Sequence, residues 1–428
     1  MENKISSIVS VKNTVSNCFP ELWKHTEAAL ATVATLLLKK NSNPTALVFI
    51  GQPSTGKTTV LDFFKGVDEV AYSTDYFTPK AFVSHYADKK KETLKNIDML
   101  KRIIGKCLIV ADLGVIFGKR KEDLAENLGI LTRVLDGKGL ATDSGVHGQR
   151  TVTGDCMFSM LCATTPFGYR VWDEMGKFGT RLLFMHNPNT EEDFNKIIQC
   201  FKTSFSYGDK VQICHEAISE YLKSLWVTTG GFRSVEWKND EIPEDVLKII
   251  WNLAKLLSKL RAMIPQIWED KSGEVQYQQP TIENPKRALT LLLNIAKGRA
   301  IIYGRNQISM EDVPLLIDIV FSSCPEDRGK TIRELVTNTK ITTPEIEKLL
   351  NVSWKTADKT VKNLSILKLI EYADNDNEGA GRPSFAIKIA SDIEKWMEEL
   401  GFRELLTKSA VDIPSSPNDN GDVSNNYL

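Results

Sequence analysis

Between residues 20 and 40, Leu22, Ala29, Leu30, Val33, Leu36 and Leu37 fall at helical spacing, which predicts an amphipathic helix whose ordinary role is core packing. Residues 46–50 (Ala-Leu-Val-Phe-Ile) are continuously apolar and stop at Gly51. So short a run predicts a strand buried on both faces that feeds a turn. Similar runs recur at 70–72, 107–111, 158–163 and 182–185, with helical patterns between them at 92–104 and 121–135. Strands alternating with helices predict an α/β unit with a mostly parallel sheet and helices on both faces. Beyond 191 the strand pattern fades and helical spacing dominates, at 194–202, 243–263 and 285–303. Three further helical patterns (331–338, 343–350, 353–369) and two strand-like runs (370–373, 385–389) then form a separate character. The tail is rich in Ser, Asn, Asp and Pro, buries too little to order itself, and is expected to be disordered. The expected organisation is an N-terminal helical segment (1–42), an α/β nucleotide-binding domain (43–190), a helical lid (191–325), a small helix-and-strand domain (328–402) and the tail (408–428).

Length supports more than one domain, since single cores stop growing at roughly 250–300 residues and this chain has 428. A composition of 42% hydrophobic and 25% charged residues is that of an ordinary soluble protein. The most apolar stretch, 28–38, is shorter than the ~20 residues that span a bilayer. Met1-Glu-Asn-Lys-Ile-Ser-Ser7 has no basic segment leading into an apolar run, so a cytoplasmic protein with no membrane partner is expected. Lys plus Arg number 54 against 55 for Asp plus Glu, so any nucleic acid must be held by a local patch. The seven cysteines include no C-x-x-C pair, which suggests neither a zinc site nor a disulfide framework.

The most specific chemistry is Gly51-Gln52-Pro53-Ser54-Thr55-Gly56-Lys57-Thr58, followed by Thr59. Glycines let backbone N–H groups curl around phosphates, and the helix N-terminus that follows adds a favourable dipole. Lys57 is expected to reach the β- and γ-phosphates and Thr58 to place its hydroxyl on Mg²⁺, so Mg-ATP is the expected cofactor. Asp112, ending the run 107–111, is the candidate carboxylate for the metal. It is followed by Leu113 rather than a second acid. Either the catalytic base comes from elsewhere, with Glu122, Asp123 and Asp143 as candidates, or hydrolysis is slow. Thr164, at the tip of the run 158–163, is placed to contact the γ-phosphate or the lytic water, or merely opens a Thr-Pro turn. Arg181 precedes the next strand, where it would stabilise transition-state charge in a neighbouring subunit or form a structural ion pair.

These residues resemble the AAA+ superfamily, in particular the branch holding the minichromosome maintenance helicases and MoxR-type ATPases. Arg181, within Gly-Thr-Arg-Leu-Leu-Phe, looks like the arginine finger of that branch. Pro285-Lys-Arg287-Ala-Leu, running on to Arg299-Ala, Gly304-Arg305 and Ser309-Met-Glu-Asp312-Val313, resembles its lid, so Arg287 would be sensor 2 and touch the γ-phosphate. Residues 131–140, leading through Gly145-Val-His-Gly-Gln-Arg150, resemble its pore-facing β-hairpin. His147, Gln149 and Arg150 would then contact a threaded strand, unless the tip packs on a neighbour. The resemblance implies an ATPase that assembles as a ring, a hexamer in that branch, and acts on DNA as a helicase or remodeller. The expected departures from it are the lack of an N-terminal OB-type domain, the lack of an Asp-Glu pair, and Thr for Asn at sensor 1.

Residues 331–389 read as a winged helix-turn-helix, with 354–364 opening its recognition helix and Gly379-Ala-Gly-Arg382-Pro383 its wing. Lys355, Lys359 and Lys362 stand at i, i+4 and i+7, so they share one face and could contact phosphates while Arg382 enters a groove. Asp358, Glu371, Asp374, Asp376 and Glu378 lie close by. The face therefore serves either DNA or a protein partner.

Overall fold

The computed structural model describes residues 7–85, 93, 97–145, 147–187, 206–238, 242–268, 275–373 and 386–411. Strands β1 (Thr45–Ile50), β2 (Ala71–Thr74) and β3 (Cys107–Val110) precede a hairpin of β4 (Gly139–Ser144) and β5 (Gly148–Thr153); β6 (Ser159–Thr164) and β7 (Leu182–His186) follow. Five of them form one sheet in the order β2-β3-β6-β1-β7, every pair parallel. Alternate side chains of each strand enter opposite cores. Leu47, Phe49, Ile109, Leu161 and Leu183 face one, and Val48, Ile50, Leu108, Met160 and Phe184 the other. Cover on both faces is why these strands read as continuous apolar runs rather than as alternation.

Helices α1 (Ile8–Cys18) and α2 (Trp23–Ala34) come before the sheet. The amphipathic helix expected over 20–40 is corrected on two counts. It is shorter, flanked by 3₁₀ turns at Pro20–Leu22 and Thr35–Leu37, and α2 is buried on nearly every side. Its threonines tolerate this by donating to carbonyls of the preceding turn, Thr26 to Leu22 at 2.9 Å and Thr32 to Ala28 at 2.8 Å. Within the α/β unit, α3 (Lys57–Asp62), α4 (Met99–Ile103), α5 (Gly114–Phe117), α6 (Lys121–Val134) and α7 (Tyr169–Phe178) lie between the strands.

Among the described residues four helices follow: α8 (Tyr207–Thr229), α9 (Glu244–Leu260), α10 (Lys286–Ile302) and α11 (Val313–Ser322). The 23-residue α8 was not foreseen; nor was the antiparallel hairpin β8 (Gln266–Trp268)/β9 (Val275–Tyr277), which falls where strands were expected to fade. The helix expected at 194–202 lies outside the described residues. At the end of α11, Ser323 accepts from the Phe184 amide at 2.7 Å and Ser322 from the His186 amide at 3.1 Å. Both serines thereby satisfy donors on the edge strand β7.

The last unit runs α12 (Glu326–Thr337), β10 (Ile341–Thr342), α13 (Thr343–Leu350), α14 (Trp354–Ile366), β11 (Ile370–Ala373) and β12 (Ala386–Ile389). Its antiparallel sheet has the order β10-β12-β11. A capping box of Thr342 with Glu345 starts α13, and Asn351 at φ 52° ends it. Two more helices, α15 (Ser391–Glu399) and α16 (Phe402–Val411), close the described chain. α16 continues past 408, where the tail was expected to begin; 412–428 lie outside the described residues. Buried Arg328 ties α12 to the end of α9, donating to Leu260 O at 2.9 Å and Ala262 O at 2.7 Å. Among the described residues, no helix is long and apolar enough to cross a membrane.

Candidate nucleotide site

The loop from Gly51 to Gly56 joins the carboxyl end of β1 to the amino end of α3. A Cβ at Gly51 would lie 2.8 Å from Asn187 O and 2.9 Å from Thr55 Oγ1, and one at Gly56 would lie 2.7 Å from Leu22 Cδ2. Gly56 also takes φ 78°, so both positions accept only glycine. The Lys57 ammonium curls back to donate to Gln52 O, and to Thr55 Oγ1 at 3.3 Å. Burial holds its pKa below the usual 10.5, with the Asp112 carboxylate opposing the shift. A partly desolvated cation at a helix N-terminus, inside a loop that side chains would fill, is suited to a polyphosphate.

A cleft of about 510 Å³ opens over the loop, lined by residues 53–59 with Ala111, Asp112, Ala163, Thr164, Thr165 and Tyr207. It lies outside the carboxyl ends of β1, β3 and β6, where open α/β sheets bind ligands. Gly51 and Gln52 form the turn beneath it. Asp112 Oδ1 accepts from the Gly114 amide at 2.7 Å, which fixes the carboxylate's direction. Thr58 and Asp112 are the residues that would hold Mg²⁺. Thr164 ends β6 opposite Ile50 of β1 and, only 2% exposed, points its hydroxyl along the rim toward Thr165 O at 3.2 Å.

Position 113 is no substitute for a missing acid: Leu113 is 1% exposed and belongs to the core below the sheet. Among the described residues lining the cleft, Asp112 is the sole carboxylate, and Glu122, Asp123 and Asp143 are not part of it. Two residues, one bracing the loop and one lining the cleft, escaped the sequence reading. Asn187, just beyond β7, donates its side-chain amide to Thr55 O at 3.1 Å and its backbone amide to Ile50 O at 2.8 Å, bracing the loop from the side. Tyr207, first residue of α8, shares a hydroxyl–hydroxyl hydrogen bond with Thr59.

Neither arginine expected at the phosphates lines this cleft. Arg181 Nη2 lies 3.1 Å and Arg287 Nη2 3.5 Å from the same oxygen of Asp136. Arg181 precedes β7, whose first residue pairs with Ala46 near the start of β1. It therefore stands at the end of the sheet opposite the loop, about 13 Å of strand away. This corrects the expectation for Arg287, which does not reach the phosphate cradle of its own chain.

The hairpin β4–β5 forms where it was expected, but Arg150 is corrected. It is 5% exposed and paired at 2.8 Å with the buried carboxylate of Asp98. Alternation along β5 turns Arg150 and Val152 inward, so that side chain cannot meet a threaded strand. Gln149 is exposed, and the His147 ring stacks on His85 at 6.3 Å. On α14, Lys355, Lys359 and Lys362 are all exposed; Lys362 pairs with Asp358 at 2.8 Å, and Lys359 acts electrostatically on Asp173 of α7. Arg382 lies outside the described residues.

No protein-family model and no curated protein matches the chain. Similarity is found among solved structures. A full-length MCM homologue from Methanopyrus kandleri is 13% identical with a TM-score of 0.42; the match covers 76% of this chain and 61% of that one. The chain thus spans less than two thirds of that homologue. The apo C-terminal region of NrS-1 is 14% identical, TM-score 0.32, covering 90% of this chain and 78% of that one. The SCCmec type IV Cch protein, described as an active helicase, is 11% identical, TM-score 0.35, covering 91% and 71%. At such identities the reading of the site rests on its own geometry.

Proposed function

We propose that the chain is an Mg-ATP-dependent ATPase of the AAA+ type, in the branch of the minichromosome maintenance and MoxR-type proteins, that assembles as a ring and acts on DNA. One observation carries this reading. Among the described residues the cleft gathers the phosphate loop, Asp112 and Thr164 but no arginine, while Arg181 and Arg287 converge on Asp136 at the other end of the sheet. Such a site is completed when a neighbouring copy brings its arginine end to the open cleft. Contacts of that head-to-tail kind generate rings when the rotation closes; a hexamer is the expected closure.

Within that assembly the loop amides and the start of α3 cradle the phosphates, and Lys57 neutralises the β,γ end. Bound magnesium would supply charge neutralisation at the transferred phosphoryl group. Thr164 and Thr165 orient the attacking water, and Arg181 of the adjoining copy offsets charge that develops on the departing γ-phosphoryl, with Arg287 beside it. The order helix–strand–helix–helix–strand–strand over 326–389 supports a winged helix-turn-helix, and the three exposed lysines of α14 support DNA as its partner.

A second reading is favoured by a specific feature. With Leu113 buried and Asp112, assigned to the metal, the sole carboxylate among the described residues of the cleft, no second carboxylate among them is placed to take a proton from water, which supports a slow-hydrolysing, ATP-dependent switch that binds DNA or a protein partner. The deciding experiment measures ATP turnover alone and with single- or double-stranded DNA, alongside the mass with and without ATP. DNA-stimulated turnover with ATP-dependent assembly supports the ring motor; tight ATP binding with negligible turnover supports the switch. Lys57→Ala is expected to abolish nucleotide binding in both, and wild-type affinity in that variant would refute the nucleotide site.

A further inference from the structure

The sequence motif accounts for the phosphates but leaves the base without a recognition element. In a loop of this kind Lys57 serves the β- and γ-phosphates, Thr58 the metal, and the amides at the helix start the α- and β-phosphates. The γ end therefore lies toward Asp112 and Thr164, and the chain of phosphates leaves the cleft at Thr59. Tyr207 stands at that exit, lining the same cleft. Its hydroxyl is engaged with Thr59, and its ring makes a T-shaped contact with that of Phe19, centroids 5.5 Å apart and planes at 73°. Phe19 is only 7% exposed and packs in turn on Phe63 at 5.9 Å. A capping box fixes the backbone on the other side, Ser206 N donating to Asp209 Oδ2 at 2.8 Å and Asp209 N to Ser206 Oγ at 3.2 Å. Yet Tyr207 itself is 63% exposed. An aromatic ring held at its hydroxyl, through a T-shaped contact and by its backbone, with much of its surface open to solvent, is a preorganised platform.

Resting on the nucleotide reading above, we infer that Tyr207 is the residue on which the nucleotide base stacks, and that it makes the site select purine over pyrimidine nucleoside triphosphates. Stacking scales with ring overlap, so the larger bicyclic base gains more from the same platform, without any hydrogen bond to its edge. Thr59 holds the tyrosine hydroxyl and so fixes the position of the ring beside the first turn of α3.

The test is calorimetric titration of the full chain with Mg-ATP, Mg-CTP and Mg-tripolyphosphate, for wild type, Tyr207→Ala and Tyr207→Phe, with circular dichroism to check that each variant folds. Wild type is expected to bind ATP more tightly than CTP. Tyr207→Ala is expected to lose about fivefold to a hundredfold in ATP affinity, to lose most of the ATP–CTP difference, and to keep its tripolyphosphate affinity. Tyr207→Phe, which keeps the ring, is expected to restore most of the ATP affinity. Equal losses for ATP and tripolyphosphate in the alanine variant would overturn the stacking role, as would no loss at all or a phenylalanine variant as weak as alanine. Wild-type protein that binds tripolyphosphate but shows no preference between ATP and CTP would overturn the selectivity. Wild-type protein that binds none of the three would instead sink the nucleotide site on which the inference rests.

Discussion

Gly298 offers the most direct test of how the helices that frame the site are assembled. It lies on α10 where that helix crosses α2, and a Cβ there would overlap the carbonyl oxygen of Ala31 and stand 2.9 Å from its carbonyl carbon. Two effects oppose each other in Gly298→Ala. Alanine gains about 1 kcal/mol of helix propensity over glycine. Against this, the new methyl needs α2 and α10 to separate by roughly 1.5 Å to reach ordinary contact. Neither helix is free to slide. Arg299 pairs with Glu27 at 3.0 Å, Tyr303 donates to the same carboxylate at 2.6 Å, and Asn294 donates to Asn41 at 2.9 Å. α2 cannot retreat either, since Ala28, Ala29 and Ala31 are fully buried. Overpacking of a rigid core costs about 1–3 kcal/mol, and a clash with backbone belongs at the upper end. The net loss expected is about 1–2 kcal/mol, a fall of roughly 2–8 °C in thermal midpoint by the scaling for units of 150–250 residues. Circular dichroism melting reads this, with Gly145→Ala as the control because a Cβ there meets nothing within 4 Å. Leu22, next to α2, packs on Gly56, so ATP affinity is expected to fall as well. A Gly298→Ala midpoint equal to or above wild type would show that propensity wins and that the close α2–α10 approach is not a constraint.

Three other outcomes are expected. Arg181→Ala keeps ATP binding and loses turnover, and mixing it with Lys57→Ala subunits restores turnover, because each variant supplies the half the other lacks; a mixture as inactive as its components would remove the case for action across an interface. Replacing Lys355, Lys359 and Lys362 together by Ala weakens duplex binding and flattens the log–log salt dependence by up to about 2.7; unchanged affinity would exclude this face of α14 as the DNA surface. Burial lowers the pKa of His25, 3% exposed and hydrogen-bonded to His186 O at 2.9 Å, below its ordinary 6.5, and lowers that of His186 too. The unfolded chain then takes up protons first, so stability is full above pH 6.5 and declines as pH falls below it. Melting across that range, with His25→Gln to remove part of the slope, checks this; a midpoint that rises on acidification would contradict it.

The readings that hold are those whose physics is local in the chain. The phosphate loop is legible because a glycine turn between a strand and a helix is specified by consecutive residues, and the sheet strands because burial on both faces leaves uninterrupted apolar runs. Lys355, Lys359 and Lys362 share a face because 3.6 residues make a turn. Arg150 was misjudged because a hairpin register decides which side of β5 faces the core, and Asp98, which meets it there, lies 52 positions away in the chain.

What the residues could not announce is what distant segments meet. Asp136 draws in Arg181 and Arg287, Asn187 braces a loop 132 positions before it, and Tyr207 reaches Thr59 across 148. Sequence alone determined the glycine loop between strand and helix and the layered α/β unit, since both follow from neighbouring residues and short periodicities. Only the tertiary structure decided where the arginines stand, that α2 is buried on nearly every side, and that an aromatic ring lines the cleft. Those depend on which surfaces close on one another, and no local pattern encodes that.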